Sequence, residues 1–119
     1  MEAEKGQEKR QFERTPCEID SFFRSVGEEA PGPISETVLQ NISEGGIRFR
    51  ANHFIPVHHK LLFKINIPNQ KTIEAVAQPE WIRELPNVRQ YDIGAKFISL
   101  SEADRDLIRK FTQNELFGA

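Results

Sequence analysis

Ser35-Glu36-Thr37-Val38-Leu39-Gln40-Asn41-Ile42-Ser43-Glu44-Gly45-Gly46-Ile47-Arg48-Phe49-Arg50-Ala51 is the stretch that decides the fold. Ser35 to Gln40 reads as a strand, and beyond Gly46 the apolar Ile47, Phe49 and Ala51 alternate with Arg48 and Arg50, the period-two pattern of a second strand with one buried face. Asn41 to Gly46 between them holds the turn-forming residues Asn, Ser and two Gly, so the stretch predicts a β-hairpin with its glycines at the bend.

The same alternation continues on both sides. Upstream, Cys17, Ile19, Ser21 and Phe23 alternate with Glu18, Asp20 and Phe22, which predicts a strand over 15–23. Gly27 to Pro33, with two prolines and two glycines, predicts a loop. Downstream, Leu61, Phe63, Ile65 and Ile67 mark a strand over 60–67, and Pro68-Asn69 turns it into another over 72–81. Pro79 predicts that this strand ends, bulges or lies at an edge there. Leu85 to Arg89 is a polar connection, and Tyr91, Ile93, Ala95 and Phe97 share one face of a closing strand over 90–99.

The period then changes. Ser101-Glu102-Ala103-Asp104 resembles a capping box, and Leu107, Ile108 and Phe111 fall at helical spacing through about Leu116. Five to seven short antiparallel strands followed by one amphipathic helix fit a small barrel that the helix covers. Residues 1–9 alternate charge signs without apolar periodicity and are expected to be a mobile tail unless a ligand orders them, with 10–119 forming one domain.

Composition narrows the function classes. A chain of 119 residues builds one core, and 38% hydrophobic residues including nine Phe are enough to fill it. No apolar stretch approaches the roughly 20 residues that span a bilayer, and the N-terminus is not built like a signal peptide. The expected location is cytoplasmic, without membrane insertion. The single Cys17 excludes an internal disulfide. A net charge of -2 and a pI near 5.9 argue against DNA or RNA as a partner, since binding a phosphate backbone needs a wide basic field. No P-loop and no Ser/His or Cys/His arrangement suggests catalysis, and adjacent His58 and His59 lack a metal-ligand spacing, so no enzyme activity, metal or cofactor is expected.

Two short motifs carry chemistry. Arg10-Gln11-Phe12-Glu13-Arg14 places two arginines four apart, and Asn41-Ile42-Ser43-Glu44-Gly45-Gly46 has the form [D/N]xSxxG. Taken alone, the first reads as solvated tail charges and the second as a tight turn. Together, in this order, they resemble the paired signatures of the PilZ domain family, bacterial receptors for cyclic di-GMP. Trp81-Ile82-Arg83 and Asp92-Ile93-Gly94-Ala95-Lys96-Phe97 resemble that family's later strands. The resemblance runs from about Glu8 to the C-terminus, and it implies a six-stranded antiparallel PilZ-type β-barrel with a C-terminal α-helix.

Cyclic di-GMP presents two guanine edges with O6 and N7 acceptors and two phosphodiester charges. An arginine fork serves either group bidentately and stacks on a base, which lysine cannot do equivalently. The resemblance implies that Arg10 and Arg14 clamp the ligand against the barrel exterior from an N-terminal segment that orders on binding. It assigns Asn41 and Ser43 as polar ligand contacts and Gly46 as the point of close backbone approach. Gly45, Lys9 and Trp81 are secondary contacts on the same reasoning, Trp81 being equally readable as core. Gly45 and Gly46 permit positive φ and let the ligand approach the backbone without a Cβ collision. Arg48 and Arg50 read as a solvated strand face, and Phe12 as an anchor for the segment.

Three function classes follow. The leading one is a non-enzymatic cyclic di-GMP receptor that alters its surface toward a separate, unidentified protein effector, since no output module is expected on a chain of this length. The alternative is a nucleotide-independent PilZ-like adaptor in motility or pilus machinery. A single-stranded nucleic-acid barrel would need a basic groove with exposed aromatics, which the acidic pI opposes.

Overall fold

The computed structural model describes residues 15–27 and 33–117. The 1–9 tail, Lys9, the Arg10 to Arg14 motif and most of the Gly27 to Pro33 loop therefore lie outside the described residues. Six antiparallel strands, β1 (Thr15–Val26), β2 (Ser35–Ile42), β3 (Gly46–Ala51), β4 (Lys60–Asn66), β5 (Thr72–Glu84) and β6 (Tyr91–Ser99), close into a barrel in the order β1-β2-β3-β6-β5-β4. Helix α1 (Glu102–Phe117) follows.

The alternating residues point where their period requires. Ile19 and Phe23 of β1, Ile47 and Phe49 of β3, Leu61, Phe63 and Ile65 of β4, and Ile93 and Ala95 of β6 are all buried. At the centre, Phe23, Phe49 and Phe63 pack pairwise with ring centroids 5.0–5.2 Å apart, within the range aromatic pairs favour. Asn69 and Asn87 take φ of 62° and 65° in the two connections flanking β5, a conformation that Asn tolerates better than most residues.

β5 does not stop at Pro79. Its register against β6 shifts between Pro79 and Trp81, and the strand then runs on to Glu84. The bulge accommodates the missing N–H and lets pairing resume.

Helix α1 covers one end of the barrel, the end that also carries the start of β1 and the β2–β3 turn. Ser101 caps it, its Oγ accepting from the Asp104 N–H at 3.1 Å, as the sequence pattern predicts. Ile108 and Phe111 insert into the core, and Lys71 Nζ, just before β5, stands 3.5 Å from Asp104 Oδ1.

Outside the barrel, Asp92 laces three neighbouring strands. Arg48 Nε donates to Asp92 Oδ1 at 2.9 Å and Arg48 Nη2 to Oδ2 at 2.6 Å, while Arg83 Nη2 donates to Oδ2 at 2.8 Å. Arg48 is thus not the solvated side chain its strand position suggests. It spans to a carboxylate with no solvent exposure. Burial alone would raise the Asp92 pKa, but hydrogen bonds from Arg48 and Arg83, reinforced by their charges, hold it below the ordinary carboxylate value. The same pair raises the pKa of Arg48.

A carboxyl whose folded pKa is depressed contributes stability that is complete above its unfolded pKa, about 3.9, and lost as pH falls through the folded value. Asp92→Asn is therefore expected to lower stability at pH 7 by about 1.5 kcal/mol, the low end for charge-assisted bonds because Arg83 is largely exposed. Urea denaturation at pH 7 and at about pH 3 checks this: the gap between wild type and variant should shrink at the lower pH.

Candidate functional site

The β2–β3 turn is built by its own motif. Ser43 Oγ accepts from the backbone N–H of Gly45 at 3.1 Å and of Gly46 at 3.2 Å, and the Ser43 N–H donates to the Gly46 carbonyl at 2.9 Å. The Ser43 side chain is consequently buried, at 3% exposure, with its hydroxyl occupied as an acceptor. Its O–H is the donor left over for another partner.

Gly46 is required for a reason other than the one its motif suggests. No described glycine takes positive φ, so the freedom that Gly45 and Gly46 permit is not used. A Cβ at Gly46 would instead lie 2.2 Å from the carbonyl oxygen of Ala95. The glycine lets β3 approach β6, and the Phe97 N–H donates to the Gly45 carbonyl at 2.9 Å beside it.

The register aligns Pro16 with Asn41, Asn41 with Arg48, Arg48 with Gly94, and Gly94 with Trp81. Arg48 and Gly94 alternate with the buried Ile47, Phe49, Ile93 and Ala95, so this row runs across the outer face of five strands. At about 4.8 Å per strand it is roughly 19 Å wide. Trp81 is not core: it is 40% exposed, and its indole lies over Gly94, where a Cβ would come within 2.2 Å of Nε1. The row offers an amide, a guanidinium and an indole, flanked by Arg83 and the exposed Lys96.

Thr15 pairs with Ile42 and Pro16 with Asn41. The chain therefore enters β1 at the β2–β3 turn, and the residue before Thr15 is Arg14. The structure brings together Asn41, Ser43, Gly45, Gly46 and, across the row, Trp81. The side chains of Lys9, Arg10 and Arg14 lie outside the described residues.

Sequence reasoning missed the anchors of this turn. Arg109 Nε donates to Glu44 Oε2 at 3.0 Å and Arg109 Nη2 to Oε1 at 2.9 Å, while Arg105 Nη1 donates to the Glu44 carbonyl at 2.8 Å. The bonds to Glu44 are the main cause of a raised Arg109 pKa, and Asp106 adds to it. Arg105 and Arg109, four apart on a helix, share one face, which was the available signal. Asp92 gave none, since an acid at an outward strand position reads as solvated. Among the described residues no group of three or more His, Cys, Asp or Glu is placed to hold a metal, and no helix is long and apolar enough to cross a membrane.

Comparison with known proteins places this geometry. The family model of the PilZ domain matches residues 8–114. Among solved structures, Bacillus subtilis MotI/DgrA, an inhibitor of motility, superposes with TM-score 0.76 at 21% identity, over 92% of this chain and 52% of that one. The PilZ domain of Escherichia coli YcgR, solved with c-di-GMP, superposes with TM-score 0.62 at 12% identity over 91% and 92% of the two chains. Borreliella burgdorferi PlzA, solved in complex with c-di-GMP, gives 0.61 at 15% identity over 93% and 44%. The chain thus spans about half the length of MotI and less than half of PlzA. Comparison with curated proteins finds no match. With a family match over nearly all of its length and the barrel and helix that go with it, the chain belongs to the PilZ domain family.

Proposed function

We propose that this chain is a non-enzymatic receptor for cyclic di-GMP, whose arginine-bearing N-terminal segment closes over the ligand and changes the surface offered to a protein effector. The observation that carries this reading is where β1 begins: Thr15 pairs with Ile42 and Pro16 with Asn41, so the strand that follows Arg14 in sequence starts beside Asn41 and the Ser43–Gly46 turn. PilZ relatives solved with c-di-GMP share the fold and support the ligand class.

The chemistry of the row suits the ligand. Asn41 supplies donor and acceptor to a guanine edge, the indole of Trp81 offers a flat apolar surface to a base, and Arg48 and Arg83 supply positive charge toward the phosphates. Two arginines from the N-terminal segment add charge-assisted bonds of about 1.5–3 kcal/mol each, enough with neutral contacts for micromolar affinity. Ligand binding changes the effector surface only as far as it prefers the closed arrangement of the segment over the open one.

A nucleotide-independent adaptor draws on a different observation, the exposed Phe22, Ile34 and Val38 on the β1–β2 side of the barrel. The two readings separate in one titration. Isothermal titration with cyclic di-GMP, and cyclic di-AMP as control, is expected to give saturable guanine-selective binding; folded protein without heat or thermal shift refutes the receptor.

Arg10→Ala and Arg14→Ala are each expected to weaken binding by at least about 1.5 kcal/mol, roughly tenfold in Kd, with Tm unchanged; unchanged affinity in both removes the clamp. Ser43→Ala should act on the fold first. It strips two backbone N–H groups of their acceptor, a loss of about 1 kcal/mol or more that lowers Tm by about 4 °C or more. Gly46→Ala should lower both Tm and affinity, because the new Cβ meets the β6 backbone; lost binding at an unchanged Tm would show that the glycine serves only ligand approach.

A further inference from the structure

Glu44 is the acidic residue inside the Ser43–Gly46 turn, flanked by residues proposed to meet a dianion. A bare carboxylate at that position would repel the ligand's phosphates. It is not bare: Arg109 pairs with it through two hydrogen bonds at 2.9 and 3.0 Å, and its own backbone carbonyl accepts from Arg105 at 2.8 Å. The Glu44 side chain is 17% exposed against 43% for Arg109, so the pair sits partly out of solvent, where charge neutralisation matters more than at an open surface.

Both arginines belong to α1, more than 60 residues along the chain from Glu44. On the other side of the helix N-terminal turn, Lys71 faces Asp104, and Ile108 and Phe111 enter the barrel end. The turn therefore cannot lose α1 without exposing an unpaired carboxylate at its centre. Nor can α1 leave without uncovering the core that its apolar stripe closes.

We infer that the Glu44–Arg109 latch joins the seating of α1 and the occupation of the β2–β3 turn into one coupled equilibrium, with Arg109 as a positioning residue for the anionic ligand and α1 as the element whose docking the ligand strengthens. The inference rests on the receptor reading. Arg109 acts by cancelling the Glu44 charge and Arg105 by holding the turn backbone. Coupling is reciprocal: whatever factor the seated helix contributes to ligand affinity, the ligand returns to helix seating, and such factors are typically about 5- to 150-fold.

The test is a four-protein cycle of wild type, Arg109→Ala, Glu44→Gln and the double variant, titrated with cyclic di-GMP and melted in parallel. Arg109→Ala should raise Kd about tenfold, Glu44→Gln should change it by less than about threefold, and the double variant should bind within about threefold of Glu44→Gln, because the charge that repels is gone. A merely structural latch predicts the reverse, a double variant as weak as Arg109→Ala, and that result overturns the inference, as does an Arg109→Ala protein that binds like wild type. Amide hydrogen exchange across α1 supplies the second readout. Saturating ligand should slow exchange in the wild-type helix and not in the double variant, and a wild-type helix indifferent to the ligand refutes the coupling. Wild-type protein that does not bind at all refutes the receptor reading and the latch with it, an outcome distinct from binding that is insensitive to Arg109.

Discussion

The structure depends on β3 beginning with a residue that has no side chain. Gly46 lies so close to β6 that a Cβ would stand 2.2 Å from the Ala95 carbonyl oxygen, and this approach fixes the β3–β6 register at Gly46 opposite Lys96. A slip of one residue would exchange every side chain between faces, sending Arg48 and Arg50 into a core lined by Phe49 and Ile93. The outer row from Asn41 to Trp81 exists because that slip is forbidden. So does the lacing of Asp92, which needs Arg83 opposite it on β5 and Arg48 two residues along β3, opposite Gly94.

The turn that precedes Gly46 shows how far a short motif is explained by folding alone. Ser43 is a small acceptor able to reach the N–H groups two and three residues on, a local bond that competes with strand pairing and so ends β2. Serine and glycine in the motif are therefore explained by the turn, with or without a ligand. In the receptor reading, ligand discrimination then falls to the outer row and its exposed cations.

The six strands and the helix were legible because each buries one face, and the period of the burial survives in the sequence even where side chains are small, as at Ser21 and Ala95. Pro79 announced an irregularity, and the β5–β6 register shift is that irregularity, although the strand's continuation to Glu84 needed the partner β6 to be known. The role of Arg48 was hidden for a different reason. Its strand alternation is the same whether it meets water or a carboxylate 44 residues away. Glu44 and Arg109 were hidden likewise, since local periodicity carries no information about contacts 65 residues apart. Trp81 was ambiguous until Gly94 was seen opposite it, because a glycine on the neighbouring strand leaves the indole a bed on the outer face.

The charge balance explains how an acidic chain serves an anionic ligand in the receptor reading. A net charge of -2 gives no long-range attraction, so selectivity rests on charges held in place near the ligand. Asp92 fixes Arg48 and Arg83 without cancelling both, and Arg109 removes the one carboxylate that the turn itself contributes. Held this way, the guanidiniums lose less side-chain freedom on binding than unpaired arginines would, which lowers the entropic cost of association. The barrel face is thereby preorganised, and with its turn tied by Ser43, by β6 and by α1, it has little left to change when a ligand arrives. In the receptor reading, the structural response then falls on what is attached to the face: the N-terminal segment proposed to close and the helix latched at Glu44.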